Sequence, residues 1–355
     1  MALRNFSCKD FRCLSSVQFE ADPRFNLIYG PNASGKTSLL EAIAYLGRGK
    51  SFRGAPTDRL LRHGAGEFLL FGRVQGPGRE TAIGVRNSRA GLEISIDGDR
   101  AGGVADLASA LPLQIVDPEV HNLVAGGPEH RRRYLDWMAF HVEHGYLGLW
   151  RRFRRALKQR NAALREGATG ELRGWDREFA DLALEVHEAR QRTLAKSLEA
   201  LEGTGRRLLG STVGFEYRQG WPVEKSLPEA LAAGLERDLH GGSTAAGPQR
   251  ADLRLVHDER QARRLVSRGQ QKLLACAMIL AASRVVQIEL GRPLLLLLDD
   301  PAAELDSDSL QRLMAEVAVL GSQVIATALD DETELFPENP LRFHVEQGVL
   351  RPHPS

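Results

Sequence analysis

Apolar and polar positions alternate over Leu3–Cys8 and Val17–Phe19, the two-residue period of half-buried strands. Phe25-Asn26-Leu27-Ile28-Tyr29 is a nearly continuous apolar run ending at Gly30 and predicts a buried strand. Leu39–Leu46 carries helical spacing, followed by a glycine-rich, positively charged loop over 47–54. Three short strands are predicted between Phe68 and Ile96, with turns at Gly76–Gly78 and Asn87–Gly91, and another at Leu113–Val116, stopped by Pro118. The period then changes. From Pro128 to about Leu209 the spacing is helical: Trp150, Phe153, Leu157 and Leu164 share one face, and Trp175, Phe179, Leu182, Val186, Leu194, Leu198 and Leu201 form a second stripe. The glycines of 167–174 separate the two. At ~1.5 Å per residue, helices of about 25–30 residues reach only about 40 Å, a short arm. Strand character returns at Val213–Arg218, and a Gly/Ser/Thr-rich loop runs from Gly241 to Gly247. The helix Gln270–Val286, the strand Leu294–Leu298, the helix Ser309–Leu320 and the strand Gln323–Thr327 follow. The pattern predicts an α/β core of mixed sheets flanked by helices, interrupted by a helical insertion: an N-terminal lobe over 1–125, an arm over 126–210 and a C-terminal lobe over 211–355. There is no internal repeat.

Composition narrows the partners. The chain has 355 residues, 43% of them apolar and 26% charged, with 47 Lys/Arg against 46 Asp/Glu and a formal charge of +1. A uniformly basic nucleic-acid coat is excluded, so a nucleic-acid surface must be a local cluster balanced elsewhere. Such a cluster exists: between Pro128 and Arg165 there are ten Lys/Arg and three Asp/Glu. Arg151, Arg152, Arg154, Arg155 and Lys158 flank the apolar Trp150–Phe153–Leu157 stripe, which leaves guanidinium groups for phosphates on the other side of the helix. A solvated face paired with the acids of 178–188 is the competing reading. The longest apolar run, near Leu294–Leu298, falls far short of the ~18 residues of a membrane span, and the first residues carry no apolar signal core. Cys8, Cys13 and Cys276 form neither a disulfide framework nor a metal pair, which fits a reducing, cytoplasmic setting. His141 and His144 have no evident third ligand for a metal.

Three motifs carry chemistry. Gly30-Pro31-Asn32-Ala33-Ser34-Gly35-Lys36-Thr37 fits GxxxxGK[ST] with an apolar strand before it and a helix after it. Its backbone N–H groups can curl around phosphates, Lys36 can reach the β- and γ-phosphates of ATP, and the Thr37 hydroxyl can ligate Mg²⁺. The run Leu294–Leu298 reads as a central parallel strand, and its C-terminal acids Asp299 and Asp300 fall at the ligand edge of the sheet. Asp299 is the expected metal carboxylate, and Asp300 is placed to polarise the attacking water. Ser267-Arg268-Gly269-Gln270-Gln271-Lys272 opens a helix and offers a hydroxyl, a glycine N–H and a helix N-terminus to phosphate, with Ser267, Gly269 and Gln270 as its contacts; an ordinary N-cap is the alternative.

Together with Ala303-Glu304-Leu305-Asp306, these motifs resemble an ABC-type ATPase head, and more narrowly the RecF family, related to SMC heads. Lys9–Arg12, Gly49–Arg53, Gly126–Asp136, Leu157–Asn161 and Gly247–Asp252 extend the resemblance over nearly the whole chain. It departs at Gln249 and Ala251, where the family usually has His and Asp, and in the absence of a switch histidine, whose region holds Thr327 or Asp330. Gln114 is the candidate Q-loop residue. The resemblance implies a weak, slow, DNA-stimulated ATPase that dimerises on ATP with each Ser267–Lys272 signature over its partner's P-loop. It implies binding to single- and double-stranded DNA at gaps and junctions, cooperation with RecO and RecR in loading RecA, and a part in the SOS response. The competing class is the ATPase subunit of a membrane transporter. The 231 residues between Lys36 and Ser267, more than twice such a subunit's usual spacing, argue against it. A small-molecule P-loop kinase would leave the signature and the Asp299–Asp300 pair without a shared purpose.

Overall fold

The computed structural model describes residues 1–167, 169–257, 260–261, 267–331 and 333–353. The chain divides into two compact units, residues 1–120 with 290–355, and residues 121–289.

The first unit holds two six-stranded sheets. One is antiparallel: β1 (Ala2–Phe11), β2 (Leu14–Glu20), β4 (Glu67–Gln75), β5 (Glu80–Ser88), β6 (Gly91–Ile96) and β7 (Asp99–Arg100), in the order β2-β1-β4-β5-β6-β7. The other runs β15-β14-β3-β13-β12-β8, where β3 is Phe25–Tyr29, β8 Leu113–Val116, β12 Leu295–Leu298, β13 Gln323–Ala328, β14 Leu341–Glu346 and β15 Val349–Pro352. The five strands from β14 to β8 pair in parallel, and only β15 runs against its neighbour. β12 lies between β13 and β8, and every one of its residues is buried, which is why it reads as unbroken leucine. The helix α1 (Lys36–Arg48) is buried from Leu39 to Gly47, and its side chains join one core with residues of both sheets. A register shift in β1 between Leu3 and Asn5 is met by the buried Gln323. Its Oε1 accepts from Leu3 N at 2.7 Å and its Nε2 donates to Leu3 O at 2.8 Å, so one amide stitches the first sheet to the second.

The first unit also carries the short helix α2 (Val104–Ala110); the second is mainly helical: α3 (Asn122–Ala125), α4 (Pro128–Val142), α5 (Tyr146–Glu166) and α6 (Thr169–Leu209), with left-handed Gly145 and Gly167 turning the chain. The two apolar stripes meet as Phe153 and Ala156 against Phe179, Leu182, Ala183 and Val186. α6 is longer than its glycines suggested. The break is confined to the Gly167 region, helix resumes at Thr169 through Gly170 and Gly174, and 41 residues span about 60 Å. A three-stranded sheet, β9 (Val213–Arg218), β10 (Asp252–His257) and β11 (Arg260–Gln261), belongs to this unit, as do two short helices, α7 (Leu227–Ala233) and α8 (Leu235–Gly241).

The division into compact units corrects the expected C-terminal lobe over 211–355. Arg131 pairs with Asp252 at 2.7 Å and Tyr134 donates to Met278 O at 3.1 Å, which ties the segment before 290 to the arm helices. The helix α9 (Arg268–Leu290) is long and apolar enough, by length and composition, to cross a membrane, and its apolar run Leu273–Ala282 is longer than Leu294–Leu298, which corrects the expectation that the latter is the longest. Residues 272–283 are buried without interruption, the all-round apolar pattern of a core helix.

Candidate nucleotide site and a basic helix face

The P-loop leaves the C-terminal end of β3 and enters α1. Its backbone is forced at three points. Gly30 has φ +150°, and a Cβ there would lie 2.2 Å from Val345 O; Gly35 has φ +115° and sits against Cys13 Sγ; Ala33 is left-handed at φ +61°. The β14–β15 turn braces the loop through Gly348 N donating to Ser34 O at 2.7 Å. Ser34 Oγ is buried inside the loop and has no hydrogen-bond partner among the described residues, a free donor in a cradle shaped for phosphate oxygens. Pro31 and Asn32 are exposed on the loop's outer side. Lys36 Nζ folds back onto the loop's own carbonyls, Gly30 O at 2.5 Å and Pro31 O at 2.9 Å. Burial holds its pKa below the ordinary lysine value against the opposing charges of Asp300, Asp299 and Asp330.

Three parallel strands end at this edge. Leu298 is in register with Val116 on one side and Ala326 on the other, so Asp299, Asp117 and Thr327 emerge side by side. Asp299 Oδ1 accepts from the Thr37 hydroxyl at 3.0 Å and from the Thr327 hydroxyl at 2.9 Å, while Thr327 Oγ1 accepts from Asp300 N at 2.9 Å. Burial raises the Asp299 pKa, and the two hydroxyls oppose it. Asp300 is partly exposed and left-handed at φ +49°. A hydroxyl and a carboxylate converging here are hard oxygen donors of the kind Mg²⁺ takes, so Thr37 and Asp299 fit the metal expected with ATP.

Sequence reasoning placed Thr327 in the region of an expected switch histidine but gave it no role, and missed Asp117. Thr327 links the acidic strand end to β13 through its hydroxyl. Asp117 is half-buried beside Asp299, and desolvation pushes its carboxyl up to about 6. The register of β8 against β12 marks it, which no single strand reveals.

Gln114 is a correction. Its Oε1 accepts from Arg48 Nη2 at 3.2 Å. It stands inside β8 in register with Leu296, three residues before Asp117, so it is not among the groups at the strand ends. Ser267, Gly269 and Gln270 belong to the second unit, where Ser267 and Gln270 form a reciprocal cap: Gln270 N donates to Ser267 Oγ at 3.3 Å and Ser267 N to Gln270 Oε1 at 2.9 Å. Gln249 donates to the carbonyls of Thr244 and Ala246 within its own loop.

On α5, Arg151, Arg152, Arg154, Arg155 and Lys158 are all exposed, while Phe153, Ala156 and Arg160 are buried. Among the described residues none of the five has an acidic partner; Arg154 lies over the Trp150 ring at 5.1 Å. The nearby acids go to Arg160 instead, whose Nε meets the half-buried Asp176 at 2.7 Å and whose Nη1 meets the buried Asp238 at 2.9 Å and Thr244 Oγ1 at 2.7 Å. Asn161 Oδ1 accepts from Thr244 N at 2.9 Å, so adjacent residues of α5 grip one loop.

A family profile described as the RecF/RecN/SMC N terminal domain matches residues 2–349. The DNA replication and repair protein RecF of Erwinia tasmaniensis is 38% identical over 360 residues, covering all of both chains. The RecF of Escherichia fergusonii is 40% identical over 355 residues and 99% of each chain. The chain belongs to the RecF family. A solved structure described as the recombination mediator protein RecF-ATPrS in the RecFOR pathway superposes with a TM-score of 0.88 at 25% identity, over 99% of this chain and 98% of that one. An SMC head bound to the C-terminal winged-helix domain of ScpA shares the fold with a TM-score of 0.62 at 17% identity, over 99% of this chain and 98% of that one. The fold is thus the α/β ATPase head of RecF and SMC proteins, and full-length similarity to RecF does not favour the transporter reading.

Proposed function

We propose that this protein is an ATP-dependent DNA-binding protein of recombinational repair and replication, active in the cytoplasm. The observation that carries the reading is the convergence of Lys36, Thr37, Asp299 and Thr327 at one sheet edge beside a strained P-loop. ATP lies along Gly30–Thr37, with Lys36 turned from its carbonyls onto the β- and γ-phosphates. Thr37 and Asp299 hold Mg²⁺, which offsets phosphate charge when bound. Asp300 orients and polarises the attacking water. A two-fold pair completes the site, each Ser267–Gly269–Gln270 signature covering its partner's ATP, so nucleotide binding is linked to dimerisation. The exposed face of α5 takes the phosphates of single- and double-stranded DNA at gaps and junctions, and slow, DNA-stimulated hydrolysis releases the pair. RecO and RecR are the partners in loading RecA during the SOS response.

The test is DNA binding with and without Mg-ATP on single-strand, duplex and gapped substrates, beside sedimentation of the parent and Ser267→Arg. Tight binding to gapped DNA only with ATP, and a dimer lost in the variant, are expected. A parent that stays monomeric with a saturating non-hydrolysable ATP analogue overturns the composite site.

A further inference from the structure

The β14–β15 hairpin closes on a two-residue turn, because Glu346 pairs with Val349 and leaves Gln347 and Gly348 between them. Both are left-handed, at φ +49° and +77°, as a type I′ turn requires. Gly348 lies outside the ladder, so its N–H is free for another acceptor, and it goes to the P-loop: Gly348 N donates to Ser34 O at 2.7 Å. No side chain fits at this contact. A Cβ on Gly348 would lie 2.6 Å from Cys13 O, and a Cβ on Gly35 would lie 3.5 Å from Gly348 Cα. The same hairpin presses the start of the loop, where a Cβ on Gly30 would lie 2.2 Å from Val345 O. Both glycines of the motif thus lie against one hairpin more than 300 residues further along the chain.

The bond fixes a direction as well as a distance. In a trans peptide the C=O and N–H of one unit point opposite ways, and no peptide bond here is cis. The carbonyl of the Ser34–Gly35 unit is turned to the hairpin. Its N–H, on Gly35, therefore faces away from the hairpin and into the phosphate cradle. Gly35 N donates to no acceptor among the described residues, so it is available to a ligand. Glycine at φ +115° gives the loop its shape but does not hold one peptide orientation, because its backbone rotates more freely than any other. Untied, the unit is free to turn its carbonyl oxygen inward, where it repels phosphate. The hairpin supplies the restraint that the glycine lacks.

We infer that Gly348 is a positioning residue of the nucleotide site: it holds the Ser34–Gly35 peptide with its carbonyl outward and so aims the Gly35 N–H at a phosphate oxygen. This rests on the ATP reading above. The backbone cradle takes phosphates that ATP and ADP share, so losing the latch weakens both nucleotides by the same factor. The molecule carries its own control. The β6–β7 hairpin also closes on two left-handed residues, Asp97 and Gly98 at φ +53° and +92°, between the paired Ile96 and Asp99. A Cβ on Gly98 meets nothing within 4 Å. Gly98→Ala therefore imposes the same kind of turn strain without touching the P-loop.

Ser34–Gly35 is the only Ser-Gly step in the sequence. Serine labelled with carbon-13 at its carbonyl and glycine labelled with nitrogen-15, incorporated by cell-free synthesis, therefore give a single carbonyl–amide correlation by NMR. The experiment follows that signal, thermal melting and the dissociation constants of mant-ADP and mant-ATP in the parent, Gly348→Ala and Gly98→Ala. A double variant, Gln347→Asn with Gly348→Ala, restores the turn's preferred first residue and is read in place of Gly348→Ala if that variant does not fold. In the parent, Mg-ADP should move the Gly35 amide proton downfield, as a hydrogen bond to an anionic oxygen does. In Gly348→Ala the Ser34 carbonyl signal should shift before any nucleotide is added, and the downfield move on Mg-ADP should be lost. Both nucleotides should bind about tenfold more weakly, the size of one hydrogen bond to a charged group. Gly98→Ala should show the turn strain in its melting temperature and bind both nucleotides like the parent. A parent whose Gly35 amide stays in place when Mg-ADP binds overturns the inference. So does a Gly348→Ala protein that binds like Gly98→Ala, or one that loses ATP and keeps ADP. A parent that binds neither nucleotide overturns the ATP reading itself and this inference with it.

Discussion

The strand-end cluster around Asp299 and the outer face of α5 use charge in opposite ways. At the sheet edge the charged and hydroxyl groups satisfy one another before any ligand arrives: Lys36 on the loop carbonyls, Thr37 and Thr327 on Asp299, Asp300 N on Thr327. On α5 the cations Arg151, Arg152, Arg155 and Lys158 point into solvent without acidic partners among the described residues, and the acids nearby are spent on the buried Arg160. The first arrangement holds each group in place by hydrogen bonds and suits a ligand of defined shape. The second leaves side chains free to follow any phosphate backbone, and suits a ligand recognised by charge alone. Substitutions at the edge should therefore act on one step each, whereas substitutions on the helix face should act in proportion to the charge removed.

The largest effect is expected from Lys36→Ala. The ammonium is the single cation folded into the P-loop, so its removal should abolish measurable ATP binding, or weaken it a hundredfold or more, the loss of about 3 kcal/mol of charge-assisted contact. Titration with a fluorescent ATP analogue checks it, and a variant that binds like the parent breaks the assignment of the edge. Arg160→Met sharpens the contrast from the other side. It should destabilise the second unit by about 3–5 kcal/mol, because Asp238 is left buried without its partner. Denaturant melts would show this, with ATP affinity at the P-loop unaltered.

How far each region was legible in the sequence follows from the same contrast. The strands Phe25–Tyr29, Leu113–Val116 and Val213–Arg218 stand where their patterns put them. The P-loop announced itself because glycines at forced φ angles cannot be replaced. Gln114 misled because its type matched a motif while its register did not. Nothing in the sequence marks Glu41 or Arg160 as buried, since a sequence shows a charged residue on a helix without showing the partner that permits its burial. The hairpin Leu341–Pro352 was not anticipated: exposed and buried residues alternate over only a few positions, and its role of bracing Ser34 depends on a contact more than 300 residues away in sequence. The arm's length was underestimated because Gly170 and Gly174 were read as breakers, although tertiary packing of α6 overrides a local cost of about 1 kcal/mol each.

A pH prediction separates the edge's folding cost from its chemistry. The Asp117 carboxyl sits at about 6 in the folded chain against an ordinary 3.8. Over that interval the native state binds more protons than the unfolded one, so stability falls as pH rises from about 4 to 6 and is level above. Asp117→Asn removes the ionisable group. It should stabilise the nucleotide-free protein by up to about 2–3 kcal/mol at pH 7–8 and by little at pH 4, and melts at the two pH values compare them. Equal stabilisation at both would place the carboxyl outside the buried edge.

The smallest effect per residue is expected on the helix face, and its form matters more than its size. Arg151, Arg152 and Arg155 hold no ion pair within the fold, so replacing all three with Ala leaves no buried charge and should cost the fold within about 0.5 kcal/mol per residue. If they meet DNA phosphates, each releases a condensed counterion on binding, and the triple variant should lower the slope of log affinity against log salt by roughly 2–3. Because backbone phosphates carry no base identity, the loss should be the same on unrelated sequences, and parent and variant should converge at high salt. The ATP dependence of whatever DNA binding remains should persist, since nothing at the strand ends has been changed. An unchanged salt slope would move the DNA surface away from α5, and a sequence-dependent loss would mean that these arginines reach base edges, contrary to the free, unpaired geometry that distinguishes them from the preset groups at the sheet edge.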